Sequence, residues 1–449
     1  MNIFRLKILF TVILLFGNTA LILAQQTRAF SLEEARDYAV KNSYSVKNAA
    51  IDIDIAKKKV WETTSIGLPQ VNANLDYNDF LKIPTSLIPG EFFEEAPGTF
   101  IPIQFGTKYN MNYGFTVSQL LFNGSYLVGL QTAKIYKQLS EQNLVQSEIE
   151  IQELVSNTYY LILIAEESKN ILDSIYSNLN KTYFEIQQFY KEGFVELTDV
   201  EQMKLNVSNI ENTIQPLERQ IEVAYSLLKF QMGIDKNETI SLSDKLDIII
   251  AKTNFETLAA SQLDINKNID YKLLNTQEKL LAMNMKNQKA TMLPTLAAFF
   301  NHTENAMRPE FNFFNGSGTW FPTTLWGISL EVPVFGSGQK LSRISQARMQ
   351  LDQIKNTKIL VEQGLHLEAE TARSEVLSAM EKYNNEFDNV TISKKIYDKT
   401  LIKYKEGLVS SSELTTQHSQ YLTAQSNYIK SVSELLTAKN KLDKILGNY

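Results

Sequence analysis

The sequence has no cysteine and only three histidines in 449 residues. Without a thiol there is no disulfide framework, no thiolate zinc site, no cysteine nucleophile and no cysteine to carry an N-terminal lipid. His302, His366 and His418 are scattered without ligand spacing and read as surface or packing residues rather than metal ligands. Lys+Arg total 44 and Asp+Glu 50, a formal charge of −6, so no net positive charge is available to hold nucleic acid phosphates. No Ser/His/Asp set or carboxylate pair has a supporting context, so neither an enzyme nor a cofactor is expected. Gly336-Ser337-Gly338 lacks the lysine and the spacing of a phosphate loop and reads as a sharp strand-to-helix joint.

Long apolar runs are equally scarce. The single one, Ile8 to Ala24, follows Arg5 and Lys7 and precedes Gln25 and Gln26. That order predicts a signal peptide over residues 1–24 and an exported chain. An uncleaved anchor helix is the alternative, but the run is short for a span and is interrupted by Gly17 and Asn18. Removing Arg5 and Lys7 gives a mature charge of −6 − 2 = −8. No later stretch has the length and apolarity of a membrane helix, so entry into a membrane would require β-strands.

Proline and glycine are few, 10 and 18, and unevenly placed. Pro69, Pro84, Pro89, Pro97 and Pro102 occupy one window, Pro294, Pro309, Pro322 and Pro333 a second, and only Pro216 lies elsewhere. The long tracts without breakers read as helices. Within the windows, Val71, Ala73, Leu75 and Tyr77 alternate with Asn72, Asn74 and Asp76. Tyr109, Met111, Tyr113, Phe115 and Val117 alternate with small or polar residues, as do Trp326, Ile328, Leu330 and Val332. Period-2 alternation predicts strands, suited either to a soluble amphipathic sheet or to a barrel with lipid outside and water inside. Tyr77, Tyr109, Tyr113, Trp320 and Trp326 fit an interfacial aromatic girdle in the second case. The acidic residues Glu91, Glu94 and Glu95 fall in a long first hairpin loop, about 78–108, read as solvated.

The chain repeats itself. Tyr190-Lys191-Glu192-Gly193-Phe194-Val195 recurs as Tyr404-Lys405-Glu406-Gly407-Leu408-Val409 at an offset of 214, and Gly233 maps to Gly447. Leu68-Pro69 recurs as Leu293-Pro294 at an offset of 225. Each half reads as helix, strand, loop, strand, very long helix, turn, helix. A helix over 125–192 would measure about 100 Å and needs lateral partners. Met203, Val207, Ile210, Ile214, Leu217, Ile221, Ala224 and Leu228 step as a heptad seam, repeated from Gln417 through Tyr421, Ala424, Tyr428, Ser431, Leu435 and Ala438 to Leu442. Pro216 should kink the first seam helix.

The motifs carry a family resemblance. Phe30-Ser31-Leu32-Glu33-Glu34-Ala35, the two Leu-Pro strand openings, the junctions Gln119-Leu120-Leu121-Phe122-Asn123-Gly124 and Val332-Pro333-Val334-Phe335-Gly336-Ser337-Gly338, and the turn Gly193-Phe194-Val195-Glu196-Leu197-Thr198-Asp199-Val200 together resemble the TolC-type outer-membrane efflux proteins over essentially the whole mature chain. The resemblance implies a mainly α fold with β-hairpins and two internal repeats. Long antiparallel coiled-coil helices would form a trimeric α-barrel, and four strands per protomer would contribute to a 12-stranded transmembrane β-barrel. It implies a homotrimer in the outer membrane with a tunnel extending into the periplasm. The channel would serve as exit duct of a tripartite efflux or type I secretion system. Its partners would be the lipid bilayer, a periplasmic adaptor and an inner-membrane RND, ABC or MFS transporter, with no nucleic acid.

The same resemblance divides the chain. It implies a signal peptide over 1–24, an N-terminal tunnel helix over 25–67 and a first transmembrane hairpin over 68–122. A helical hairpin over 123–232, an equatorial segment over 233–268 and a helix over 269–292 follow. The second transmembrane hairpin is then 293–335 and the second helical hairpin 336–449. It places the pore gate at Asp199, Tyr404, Glu413 and Thr416. Gly193, Phe194, Val195, Gly407, Leu408 and Val409 form the tip turns and adaptor dock. Thr416 stands where the best-known member has a second acidic residue, and Val409 replaces a basic partner of the Asp199 position. Asp199 and Glu413 also fit ordinary first-turn residues favoured by the helix dipole, with Thr198 or Ser412 as caps. The rival readings are a periplasmic coiled-coil adaptor and a structural coiled-coil protein without a pore.

Overall fold

The repeat is visible in the computed structural model, which describes residues 28–316 and 318–449; the expected signal peptide lies outside the described residues. In chain order the first half is β1 (Arg28–Phe30), α1 (Leu32–Asn42), α2 (Tyr44–Ser65), β2 (Gln70–Asp79), β3 (Thr85–Pro89), β4 (Phe100–Gln104), β5 (Tyr109–Asn123), α3 (Gly124–Lys191) and α4 (Leu197–Met232). The connecting elements are β6 (Ile240–Leu242), α5 (Leu246–Lys252) and α6 (Phe255–Ala260). The second half is α7 (Ile269–Ala290), β7 (Thr295–Arg308), β8 (Phe321–Glu331), α8 (Gln339–Lys405) and α9 (Ser411–Leu446). Helices α4 and α9 are both 36 residues long, and both their ends are 214 apart, the offset read from the glycines. Helices α3 and α8 run 68 and 67 residues.

Several elements differ from expectation. The helix expected over 25–67 is broken in two at Ser43, whose φ and ψ of −60° and 142° are extended. The first hairpin loop is not plain coil: β3 and β4 pair within it as a second, smaller hairpin. The two strand-to-helix junctions also differ. β5 passes into α3 without a loop, with Asn123 Oδ1 accepting from Tyr126 N at 2.8 Å as the cap. After β8 the chain spends residues 332–338 on the joint, where Ser337 and Gly338 take positive φ values of 47° and 80°.

The chain divides into two compact units. One comprises Ile53–Ser140 and Leu274–Thr357, and its sheet has the strand order β2-β5-β7-β8, all neighbours antiparallel. The centre of this sheet is therefore a pairing between repeats, β5 with β7, and β2 and β8 are left as edges. A bulge between Leu120 and Phe122 shifts the β5–β7 register near its end. Cross-strand partners share a face, so the register sorts the side chains. One face carries rows such as Val71–Val117–Phe300–Trp326, and the opposite face carries rows such as Asn72–Thr116–Asn301 and Asp76–Asn112–Asn305.

The other unit comprises the described part of Met1–Asp52 with Glu141–Leu273 and Lys358–Tyr449. It contains three buried clusters. The first gathers Phe30, Ala35, Val155, Tyr159, Leu228 and Met232, and the short parallel pair β1–β6 joins it through Ile240. Tyr159 and Asp244 tie this corner together: the tyrosine hydroxyl donates to the Phe30 carbonyl at 2.9 Å, and the Asp244 carboxylate accepts from Leu32 N at 2.7 Å. Ser31 caps α1 in a capping box with Glu34. The second cluster lies between α8, α9 and α6 around Ala372, Val376, Leu442 and Phe255. The third lies near the helical turns, around Leu179, Met203, Ile210, Tyr397 and Leu414.

The heptad seam of α4 is divided between two of these clusters. Met203 and Ile210 are 1% exposed and Leu228 is fully buried, but Ile214, Leu217 and Ile221 are half-exposed. The thin stretch surrounds Pro216, which lies inside α4 and lacks the N–H of a continuous helix ladder. In α9 the seam holds from Tyr421 to Leu442, but its beginning is shifted: Leu414 and His418 face the core, and Gln417 is only half-buried. A 100° step per residue leaves neighbouring positions ambiguous at the end of a helix, and packing against Tyr397 resolves the choice toward His418.

Candidate functional site

The tip of each helical hairpin is built by the same local chemistry. Gly193 and Gly407 take φ of 78° and 72°, the left-handed conformation glycine adopts without penalty. Phe194 N donates to the Phe189 carbonyl and Leu408 N to the Lys403 carbonyl, both at 2.9 Å, which satisfies the last carbonyls of α3 and α8. The side chains that follow are left outside: Phe194 is 78% and Leu408 72% exposed. Val195 and Val409 are half-buried.

The next helices then begin one turn later. The cap of α4 is Glu196, not Thr198; Glu196 N donates to Asp199 Oδ2 at 3.2 Å. The cap of α9 is Ser410, not Ser412; its Oγ accepts from Glu413 N at 3.2 Å. Asp199 thus spends one oxygen on its own helix start. Glu413 uses its backbone N–H in the cap and leaves its side chain exposed.

The two tips share one cleft of about 730 Å³, lined by Phe189, Phe194, Val195, Asp199, Tyr404, Gly407 and Val409 among others. Asp199 and Tyr404, predicted as gate residues, are therefore brought together. The Tyr404 hydroxyl is buried without a hydrogen-bond partner among the described residues. Burial, and then the negative charge of Asp199, push its pKa up to about 12. Lys405 Nζ meets Glu185 Oε2 at 2.8 Å beside the cleft, an exposed pair of small energetic weight. Thr416 faces elsewhere, lining a polar groove between α8 and α9 with Asn389, Ser393, Ser419 and Thr423, and its hydroxyl donates to the Ser412 carbonyl at 2.9 Å. Glu413 lines neither of these two hollows.

Three features beneath the tip escaped sequence reasoning. Asn206 Nδ2 donates to Thr415 Oγ1 at 2.9 Å, linking α4 to α9. His418 is 3% exposed, and burial lowers its pKa to about 4. Tyr397 stacks on Tyr421 at 5.7 Å with an interplanar angle of 12°. Tyr421 was placed in the seam; nothing in the local pattern marks Tyr397 or Asn206 as its inward companions. Among the described residues no group of three or more His, Asp or Glu is placed to hold a metal ion.

On the sheet, four of the five expected girdle aromatics gather at one end. Tyr77 and Tyr109 contact Phe311, at 5.6 and 6.2 Å between ring centroids, and Tyr113 meets Trp320 edge-on at 4.9 Å. Trp326 stands apart. It pairs across the strands with Phe300 and is 76% exposed. Among the described residues no helix is long and apolar enough to cross a membrane.

Comparison with known proteins supports the resemblance read from the motifs. Residues 278–448 match the family described as Outer membrane efflux protein. The chain is similar in structure to the CmeC outer membrane channel of Campylobacter jejuni, with a TM-score of 0.70 and 16% identity over 93% of this chain and 85% of that one. It is similar to the outer membrane protein VceC of Vibrio cholerae, with a TM-score of 0.69 and 14% identity over 93% of this chain and 96% of that one. The open state of the MtrE outer membrane channel of Neisseria gonorrhoeae matches with a TM-score of 0.69 and 16% identity over 93% and 88% of the two chains. No curated protein sequence matches the chain. At these identities the structures establish the fold: long helical hairpins joined to a four-stranded sheet. The matched family is one of outer membrane efflux proteins, and CmeC and MtrE are outer membrane channels.

Proposed function

We propose, from the premise that residues 278–448 are those of an outer membrane efflux protein, that the chain is the passive exit duct of a tripartite efflux or type I secretion system. The observation that carries this reading is the sheet β2-β5-β7-β8. It has one apolar and one asparagine-rich face, and two edges without a strand partner among the described residues. Open edges are untenable in hydrocarbon, where every backbone N–H and C=O must be paired. Further copies that continue the sheet remove both edges. Three copies give 12 strands, with the apolar face toward lipid and the asparagine face toward water.

In this reading the protein sits in the outer membrane, and the helical hairpins form a periplasmic tunnel. The exposed Phe194 and Leu408, with Gly193, Val195, Gly407 and Val409, are the surface for a periplasmic adaptor, behind which stands an RND, ABC or MFS transporter. The gate is formed by Asp199 and Tyr404 in the shared cleft, with Glu413 and Thr416 on the first turns of α9. The unpaired Tyr404 hydroxyl is the donor available for a link to a neighbouring copy. Native mass measurement of the detergent-extracted complex, followed by planar-bilayer recording, tests the proposal. The expected result is a trimer that inserts and conducts; a soluble monomer in the periplasmic fraction would overturn it.

A further inference from the structure

The apolar face of the sheet changes character along its length. The register orders it in rows. Nearest the long helices is Leu296–Leu330, then Ala298–Ile328, then Val71–Val117–Phe300–Trp326. Charge first enters in the next rows, Ala73–Phe115–His302–Thr324 and Leu75–Tyr113–Glu304–Pro322, and the last row holds Asp79, Tyr109 and Arg308. Trp326, Ile328 and Leu330 are 60–76% exposed, and exposure persists through Leu75 at 65% and Tyr113 at 44%; it falls in the next row, where Ala306 is 1% and Met111 8% exposed.

What covers the Met111–Ala306 row and Arg308 is the loop that joins β7 to β8. Phe313 of this loop is buried against Met111 and Ala306. Arg308 is itself 5% exposed: its guanidinium carbon lies 5.1 Å from the Phe313 ring centre and 5.7 Å from that of Trp320, and Nη1 donates to Asn312 Oδ1 at 2.9 Å. The outer side of this roof presents Phe311 and Phe314, the latter 82% exposed.

We infer that this loop is the lipid boundary of the sheet. Acyl chains cover the face from Leu330 to the level of His302, and the headgroup layer begins at Glu304, with Phe311 and Phe314 seated in it. This rests on the channel reading, which puts the apolar face toward the bilayer. Charged side chains are expensive among acyl chains, and aromatic rings favour the headgroup level. Here the aromatic roof begins at the Glu304 row, where Trp320 meets Tyr113, one row above His302, and the roof removes Arg308 from contact with hydrocarbon. The rows from Val71–Val117–Phe300–Trp326 to Leu75–Tyr113–Glu304–Pro322 run across all four strands, as a lipid-facing surface must. The inference separates two residues that the sequence grouped in one girdle: Trp326 belongs in the hydrocarbon, and Trp320 above it.

The chain has three tryptophans and no cysteine, so depth can be read directly. One double variant, Trp61→Phe with Trp320→Phe, keeps Trp326; another, Trp61→Phe with Trp326→Phe, keeps Trp320. In liposomes of phosphatidylcholine brominated at mid-chain, Trp326 fluorescence should be quenched at least twofold more than that of Trp320. Equal or reversed quenching would overturn the boundary. If Trp326 escapes the bromines while the protein resists carbonate extraction, protein rather than lipid covers the face, and the boundary fails while the channel reading survives. If the protein does not enter the liposomes at all, both fail. As an independent measurement, spin labels on Phe314→Cys and Ile328→Cys should favour an aqueous nickel relaxant at 314 and oxygen at 328; the opposite order would also overturn the inference.

Discussion

His418 packs against Tyr397 with ring centroids 5.4 Å apart, and neither His418 Nε2 nor the Tyr397 hydroxyl meets a hydrogen-bond partner among the described residues. Burial keeps the imidazole neutral, with its pKa lowered from 6.5 to about 4. In that window the unfolded chain binds a proton that the folded chain refuses. Stability is therefore full above about pH 6.5 and falls as the pH drops toward 4. The total loss from this group is on the order of 3 kcal/mol. His418→Leu should flatten the difference in stability between pH 6.5 and 4, measured by denaturant unfolding at each pH; curves parallel to wild type would show that the buried imidazole is not the source.

Leu228 is fully buried in the first core cluster, while Leu217 lies half-exposed in the thin stretch beside Pro216. A cavity at the first site has no solvent to fill it. Leu228→Ala should cost about 2–4 kcal/mol and Leu217→Ala less than about 1 kcal/mol. Thermal unfolding of the two variants side by side checks the ranking, and equal losses would contradict the uneven seam.

Gly233 and Gly407 share left-handed φ values of 70° and 72°, but their surroundings differ. A Cβ at Gly233 would lie 2.5 Å from the Asn42 carbonyl oxygen, and one at Gly407 meets nothing within 4 Å. Gly407→Ala should show only the conformational penalty, about 1 kcal/mol, whereas Gly233→Ala adds a backbone clash that must displace Asn42. Denaturation midpoints decide, and a more damaging Gly407→Ala would contradict the backbone clash at Gly233.

Tyr404 and Glu413 test the gate. The Tyr404 hydroxyl has no partner among the described residues, so Tyr404→Phe should leave stability unchanged or slightly raised. If that hydroxyl links neighbouring copies, the same variant should raise resting conductance in planar bilayers. Glu413→Ala should raise resting conductance and lower cation selectivity, because symmetry-related carboxylates at a pore mouth attract cations. Unchanged conductance in both variants would remove them from the gate.

Much of the architecture was legible because its signals are local. The glycine at each helical turn, the alternation in each strand and the 214-residue offset need no partner to be recognised. The tip residues were legible only in part. Asp199 and Tyr404 come together, yet their meeting depends on two turns from different halves lining one cleft. For His418 the sequence leaves surface and packing roles open, because Gln417 fits the heptad equally well and only the presence of Tyr397 distinguishes them. Glu196 and Ser410 displaced the expected caps because a helix start is set by the geometry of the preceding turn, not by the first hydroxyl available.

The sequence by itself determined where the chain is helical, where it is extended, and that it does both twice. Periodicity and helix breakers act over a few residues, and so they survive in the linear text. The tertiary structure decided that the repeats pair through β5 and β7, that the β7–β8 loop folds over Arg308, and that β2 and β8 are the edges left open. Each of these depends on hydrogen bonds or ring contacts between residues far apart in the chain, where no local preference selects one partner over another.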